Sequence, residues 1–186
     1  ADEAGLYGAA SRIAYFVIFG VSAANFVITP LISEYHATGA KENLQRMMTY
    51  AARLIFALSF VISLVILLGG GLILSLFGPG FIVSLSTLHI LVIGQLITTL
   101  VGPVGSLMIM TGHEKVTSKI FLLTAVLNVV LNAALIPLYG MEGAAITTAS
   151  AFVFWNIITF FYIKRAIGIN PSIFTFSKLA PAAPPP

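Results

Sequence analysis

The sequence predicts an all-α integral membrane protein, a bundle of about five transmembrane helices, and three observations predict it. It is 59% hydrophobic and 8% charged with a mean hydropathy of +1.04. That leaves too little polar surface to cover a water-soluble globule of 186 residues. Segments free of Asp, Glu, Lys and Arg occupy 13–33, 54–113, 120–141 and 143–163, and each reaches the roughly 20 apolar residues that a spanning helix needs. These runs are continuously apolar, not alternating, which argues against a lipid-facing barrel.

Taken in order, the first helix is expected over about 9–33 and leaves through Pro30-Leu31-Ile32-Ser33. Lys41-Glu42-Asn43-Leu44-Gln45-Arg46-Met47-Met48 reads either as a short amphipathic helix along the interface or as a solvated linker. The 54–113 run is too long for one crossing, and Gly78-Pro79-Gly80 divides it, since glycine turns easily and proline resists helix continuation. Helices over about 51–77 and 87–111 follow, and then 119–138 and 144–163 on either side of the Tyr139-Gly140-Met141-Glu142-Gly143 turn. The membrane domain is therefore 1–170, with a polar, Pro-rich tail over 171–186. The opening Ala1-Asp2-Glu3 has neither an initiator Met nor a signal leader and reads as the start of a fragment.

Loop charge sets the expected orientation. Eight of the nine basic residues fall on one side: Lys41, Arg46 and Arg53; Lys115 and Lys119; Lys164, Arg165 and Lys178. Lys and Arg accumulate in cytoplasmic loops, so the C-terminus is expected in the cytoplasm and Asp2, Glu3 and Glu142 outside. This asymmetry accounts for a net charge of +3 without nucleic acid as a partner.

Arg12 is the exception. It opens the first helix on the side where no basic residue belongs. An ionisable group there marks either a polar cavity, where its planar fork suits phosphate oxygens, or a snorkelling side chain, or a pair with Asp2 or Glu3. On the third helix Gln95, Thr99, Gly102 and Ser106 fall within about 60° at 100° per residue, one polar, small stripe. Such a stripe lines a wet path or, more commonly, lets a neighbouring helix approach. Asn128 and Asn132, with Thr124 a turn earlier, favour interhelical hydrogen bonds over ligand contacts. Pro103 and Pro137 kink the third helix and end the fourth.

Enzyme chemistry finds little to work with. There is no cysteine; His36, His89 and His113 have no zinc spacing; and no phosphate loop, nucleophile elbow or carboxylate pair lies inside a span. No cofactor is expected.

Several pieces resemble a known family in order and spacing: Ala4-Gly5-Leu6-Tyr7-Gly8-Ala9-Ala10-Ser11-Arg12-Ile13, the Pro30 exit, Met110-Thr111-Gly112-His113-Glu114-Lys115, and Leu127-Asn128 and Leu131-Asn132 followed by Leu135-Ile136-Pro137-Leu138-Tyr139-Gly140 and Gly143-Ala144-Ala145. Over about residues 4–170 the sequence is similar to the polysaccharide (O-antigen/oligosaccharide) flippases of the multidrug, oligosaccharidyl-lipid and polysaccharide exporter superfamily. The resemblance implies part of one six-helix lobe of a two-lobe transporter, the last five helices of its C-terminal half, with the N-terminal half as partner. It implies translocation of a polyprenyl-diphosphate-linked glycan across the bacterial inner membrane by alternating access. Arg12 then matches a cavity arginine that holds the diphosphate, with weaker candidates in Arg53, Gln95 and Thr99. A multidrug cation antiporter or lipid II flippase of the same superfamily, or a scaffold subunit that transports nothing, are the competing expectations.

Overall fold

A computed structural model describes residues 2–175. The expected tail over 176–186, with Lys178 in it, lies outside the described residues. Within them the protein is all-helical, and four helices are long and apolar enough to cross a membrane.

The first is a rod formed by α1 (Glu3–Ala14), one 3₁₀ turn (Tyr15–Ile18) and α2 (Phe19–Ala37). It starts six residues earlier than the sequence suggests and runs straight through Pro30. Proline removes one backbone donor, and the Thr29 hydroxyl meets the Asn25 carbonyl at 2.6 Å beside that site. α3 (Lys41–Ser75) is one continuous helix. The stretch read as an interfacial helix or linker is therefore its first two turns, committed to the bundle by buried Leu44 and Met48.

After α3 the chain turns at Gly78, whose φ of +128° a side chain would oppose. A 3₁₀ segment (Pro79–Ser84) leads into α4 (Leu85–Thr98). The third expected helix then breaks: a 3₁₀ turn (Thr99–Val101), Gly102 at φ +59°, Pro103, and a short α5 (Val104–Met110). Gly102 also packs tightly, since a Cβ there would stand 2.9 Å from the Ala52 Cβ.

α6 (Glu114–Ala166) is broken at Gly140, where φ +54° and ψ −131° leave the helical region. Its arms fold back on each other. The His113 and Tyr162 rings meet at 5.5 Å, Phe121 and Trp155 at 6.0 Å, and a Cβ on Gly143 would collide with the Leu135 carbonyl.

Two apolar clusters hold the bundle, one near each end. One joins Ile28, Leu44, Met48, Leu107, Ile120 and Ile163; the other joins Ala14, Val17, Ile66, Leu88, Val92 and Ala145. Elsewhere the apolar side chains point outward. Leu68 and Leu72 on α3 and Leu76 at its C-terminal cap form one stripe, 81%, 78% and 85% exposed, an arrangement suited to hydrocarbon as solvent. Lys41 and the ends of α6 carrying Lys115, Lys119, Lys164 and Arg165 gather at the first cluster's end. At the opposite end Ser86 donates to Glu142, and Glu3 approaches Gly140.

Lipid gives helices no hydrophobic drive toward one another, so close approach must come from small residues. Here α4 meets the second arm of α6 at Gly94, where a Cβ would collide with the Ala149 Cβ and lie 3.0 Å from its Cα. Gly94→Ala, normally a gain of about 1 kcal/mol in a helix, is expected to cost about 1–3 kcal/mol through overpacking. Gly69→Ala, with nothing within 4 Å of its Cβ, is the control. Thermal unfolding in nanodiscs should lower the Tm of Gly94→Ala alone.

Candidate functional site

Between the two apolar clusters, at mid-height, lies a cavity of about 700 Å³. It is lined by Ile18, Val21 and Asn25 from the first rod, Gln95 and Thr98 from α4, and Gly102 to Ser106 from the break. The first arm of α6 adds Phe121, Thr124 and Asn128; the second adds Thr148, Phe152, Trp155 and Asn156. Among the described residues no Asp, Glu, Lys, Arg or His lines it.

Its polar groups are neutral amides and hydroxyls. The Ser106 hydroxyl donates to Asn25 Oδ1 at 2.8 Å, and Asn132 Nδ2 donates to Asn128 Oδ1 at 2.9 Å. Asn156 Nδ2 donates to the Phe152 carbonyl at 2.9 Å, and Thr124 Oγ1 donates to the Ile120 carbonyl at 2.8 Å. These bonds leave further amide capacity on Asn25, Asn128 and Asn156, because each amide has two donors and an acceptor with two lone pairs. Gln95 differs: it is 5% exposed and its side-chain amide has no hydrogen bond among the described residues.

Gln95, Thr148 and Phe152 also line a second pocket of about 220 Å³, with Tyr7, Ser11, Ala14 and Tyr15. The Tyr7 and Thr148 hydroxyls, 2.9 Å apart, form part of that wall. The two spaces thus share a wall, and the smaller one extends toward α1.

Arg12 follows Ser11 and precedes Tyr15 by one turn, next to this second pocket in sequence, yet it lines neither space. Because α1 begins at Glu3, Arg12 lies about 13 Å along the rod, well past its opening. Its side chain is exposed, and it has no hydrogen bond or ion pair among the described residues. The expected pairing with Asp2 or Glu3 does not form.

The remaining candidates separate. Arg53 donates from Nε to the Ile173 carbonyl at 3.1 Å and from Nη2 to the Thr175 carbonyl at 2.8 Å, anchoring the segment after α6. Gln45 completes that anchor by exchanging two 2.7 Å bonds with the backbone of Asn170. Thr99 departs from the expected stripe: it is 1% exposed and its hydroxyl donates to the Leu96 carbonyl. The stripe assumed an unbroken helix, and a 3₁₀ turn begins at Thr99 itself. Even so, Gln95, Gly102 and Ser106 face one cavity. Asn25, Thr148, Trp155 and Asn156 were not singled out from sequence, although two amides inside charge-free runs are a readable signal. Among the described residues no group of His, Asp and Glu is placed to hold a metal.

No known family model, curated protein or solved structure matches this chain. Fold and cavity define a coarser class, an all-helical protein with helices long and apolar enough to cross a membrane, arranged around an open cavity with no charged lining among the described residues.

Breaking the anchor has a local consequence. Gln45→Ala is expected to cost about 1–3 kcal/mol and to raise amide hydrogen exchange over 168–175 while leaving α4 and α6 protected, as measured by mass spectrometry in nanodiscs.

Proposed function

We propose that the protein is a flippase lobe that moves a polyprenyl-diphosphate-linked oligosaccharide across a bacterial inner membrane by alternating access. The observation that carries this reading is Arg12: an exposed guanidinium about two and a half turns inside an apolar rod, without a partner among the described residues. A charge there is costly unless something anionic meets it, and a guanidinium fork pairs well with phosphate oxygens. The resemblance in sequence supplies the substrate. In this reading the diphosphate rests on Arg12, and the isoprenoid tail stays in lipid along the apolar outer faces. A second lobe closes the path.

Five crossings fit the fold best. Each arm of α6 is about 26 residues, or about 39 Å, enough for a hydrocarbon core of about 30 Å, so the α6 hairpin counts as two crossings. The basic end then faces the cytoplasm. A multidrug cation antiporter has less support, because no acid lines the cavity.

Restored with its second lobe in proteoliposomes, Arg12→Ala is expected to lose about tenfold or more of its translocation of a fluorescent polyprenyl-diphosphate sugar, the scale of one charged hydrogen bond. Arg12→Lys should retain part of it. Equal transport by Arg12→Ala and the parent would sink the proposal. Orientation has its own check, because the sequence has no cysteine: Gly80→Cys and Glu142→Cys should react with a membrane-impermeant maleimide from outside, and Gly39→Cys and Lys115→Cys should not.

A further inference from the structure

We infer that the two adjoining cavities form a binding site for an uncharged sugar ring, read by Gln95, and that the site rejects sugars carrying a carboxylate. The inference deepens the flippase reading, on which it rests for the molecule that delivers the sugar; the binding itself can be measured without transport.

Gln95 is the starting point. The residue is 5% exposed, its amide has no hydrogen bond among the described residues, and it stands at the wall that the two spaces share. An amide that opens onto such a space and bonds to nothing in the protein has its donors and acceptor free for whatever enters. An amide offers donors and an acceptor side by side, which is the complement of a hydroxyl, itself donor and acceptor. Around it the spare capacity is mixed in the same way: Asn25 and Asn128 each accept at the oxygen and keep amide N–H donors, while Asn156 uses one N–H and keeps its oxygen. A ring bearing several hydroxyls can satisfy such a set. A hydrocarbon chain would leave it unpaired.

The walls supply the rest. Phe121, Phe152 and Trp155 give the larger space flat apolar surfaces, suited to the C–H faces of a pyranose. Its volume of about 700 Å³ lies within the range of about 300–1,000 Å³ usual for small-molecule sites. Charge decides the specificity. With no Lys, Arg or His of the described residues in the lining, a carboxylate would surrender its hydration with no cation there to replace it.

The protein carries its own reporter. Trp155, the one tryptophan of the sequence, lines the larger space. The whole chain in nanodiscs is titrated with hexyl β-glucoside, hexyl β-glucuronide and hexanol while Trp155 emission is followed. The glucoside is expected to shift the emission saturably, and the glucuronide and hexanol to bind at least about tenfold more weakly, the scale of one or two buried hydrogen bonds. Gln95→Leu should weaken the glucoside about tenfold and leave hexanol unchanged. Should Gln95→Leu fail to fold, Asn156→Leu on the facing arm carries the same expectation. Equal responses to glucoside and hexanol would make the space a hydrocarbon slot, and an equal response to glucuronide would remove the specificity. Either result, or silence toward the glucoside, overturns the inference. The two readings fail separately: a glucoside response in a protein that translocates nothing overturns the flippase alone, whereas Arg12-dependent translocation beside a silent Trp155 overturns this inference alone.

Discussion

The missing side chain at Gly94 is the constraint on which the rest of the bundle depends. In lipid the outer faces of helices gain nothing by leaving solvent, so position is set by how closely backbones fit. Gly94 lets α4 lie against Ala149 with no intervening carbon. That contact fixes the neighbours on either side, Gln95 on one helix and Thr148 on the other, and both become wall residues of the two cavities. Any added bulk would pry apart the wall the two spaces share.

Seen from this contact, the bundle has three levels. The two apolar clusters are tightly filled, with Met48, Leu74, Leu88 and Ile163 fully or almost fully buried. Between them the helices carry amides, hydroxyls and aromatic rings instead of close-fitting aliphatic chains, and the space stays open. The breaks at Gly102 and Gly140 serve this layout in different ways. Gly102 bends α5 so that Ser106 reaches Asn25 across the cavity, and Gly140 returns the chain so that both arms of α6 present polar residues to the same space.

Much of the fold was legible because lipid imposes a coarse code. Charge-free runs marked the helices, Gly78-Pro79-Gly80 and the Gly140 turn marked two reversals, and the basic residues sorted to one end. What periodicity could not supply was the outcome of tertiary choices. Pro30 reads as a stop, yet α2 continues through it. Residues 41–48 read as separate because they are charged, yet Leu44 and Met48 join them to the core. The stripe failed at Thr99 because the α-helix gives way there to a 3₁₀ turn, which a uniform helical period does not foresee. The cavity was the least legible part, since it joins residues as distant as Asn25 and Asn156, and only Gln95, Ser106, Thr124 and Asn128 were polar enough in pattern to be noticed.

The Gly102 break also imposes an order of assembly. The Leu100 carbonyl, exposed where the helical ladder stops, accepts from the Ile173 N–H at 3.1 Å, and Gln45 and Arg53 likewise find their partners between residues 170 and 175. During synthesis, which delivers the N-terminal helices first, these three groups emerge from the ribosome long before the chain that completes them. The segment after α6 is thus a latch that ties the last described residues back to α3 and to the break before α5.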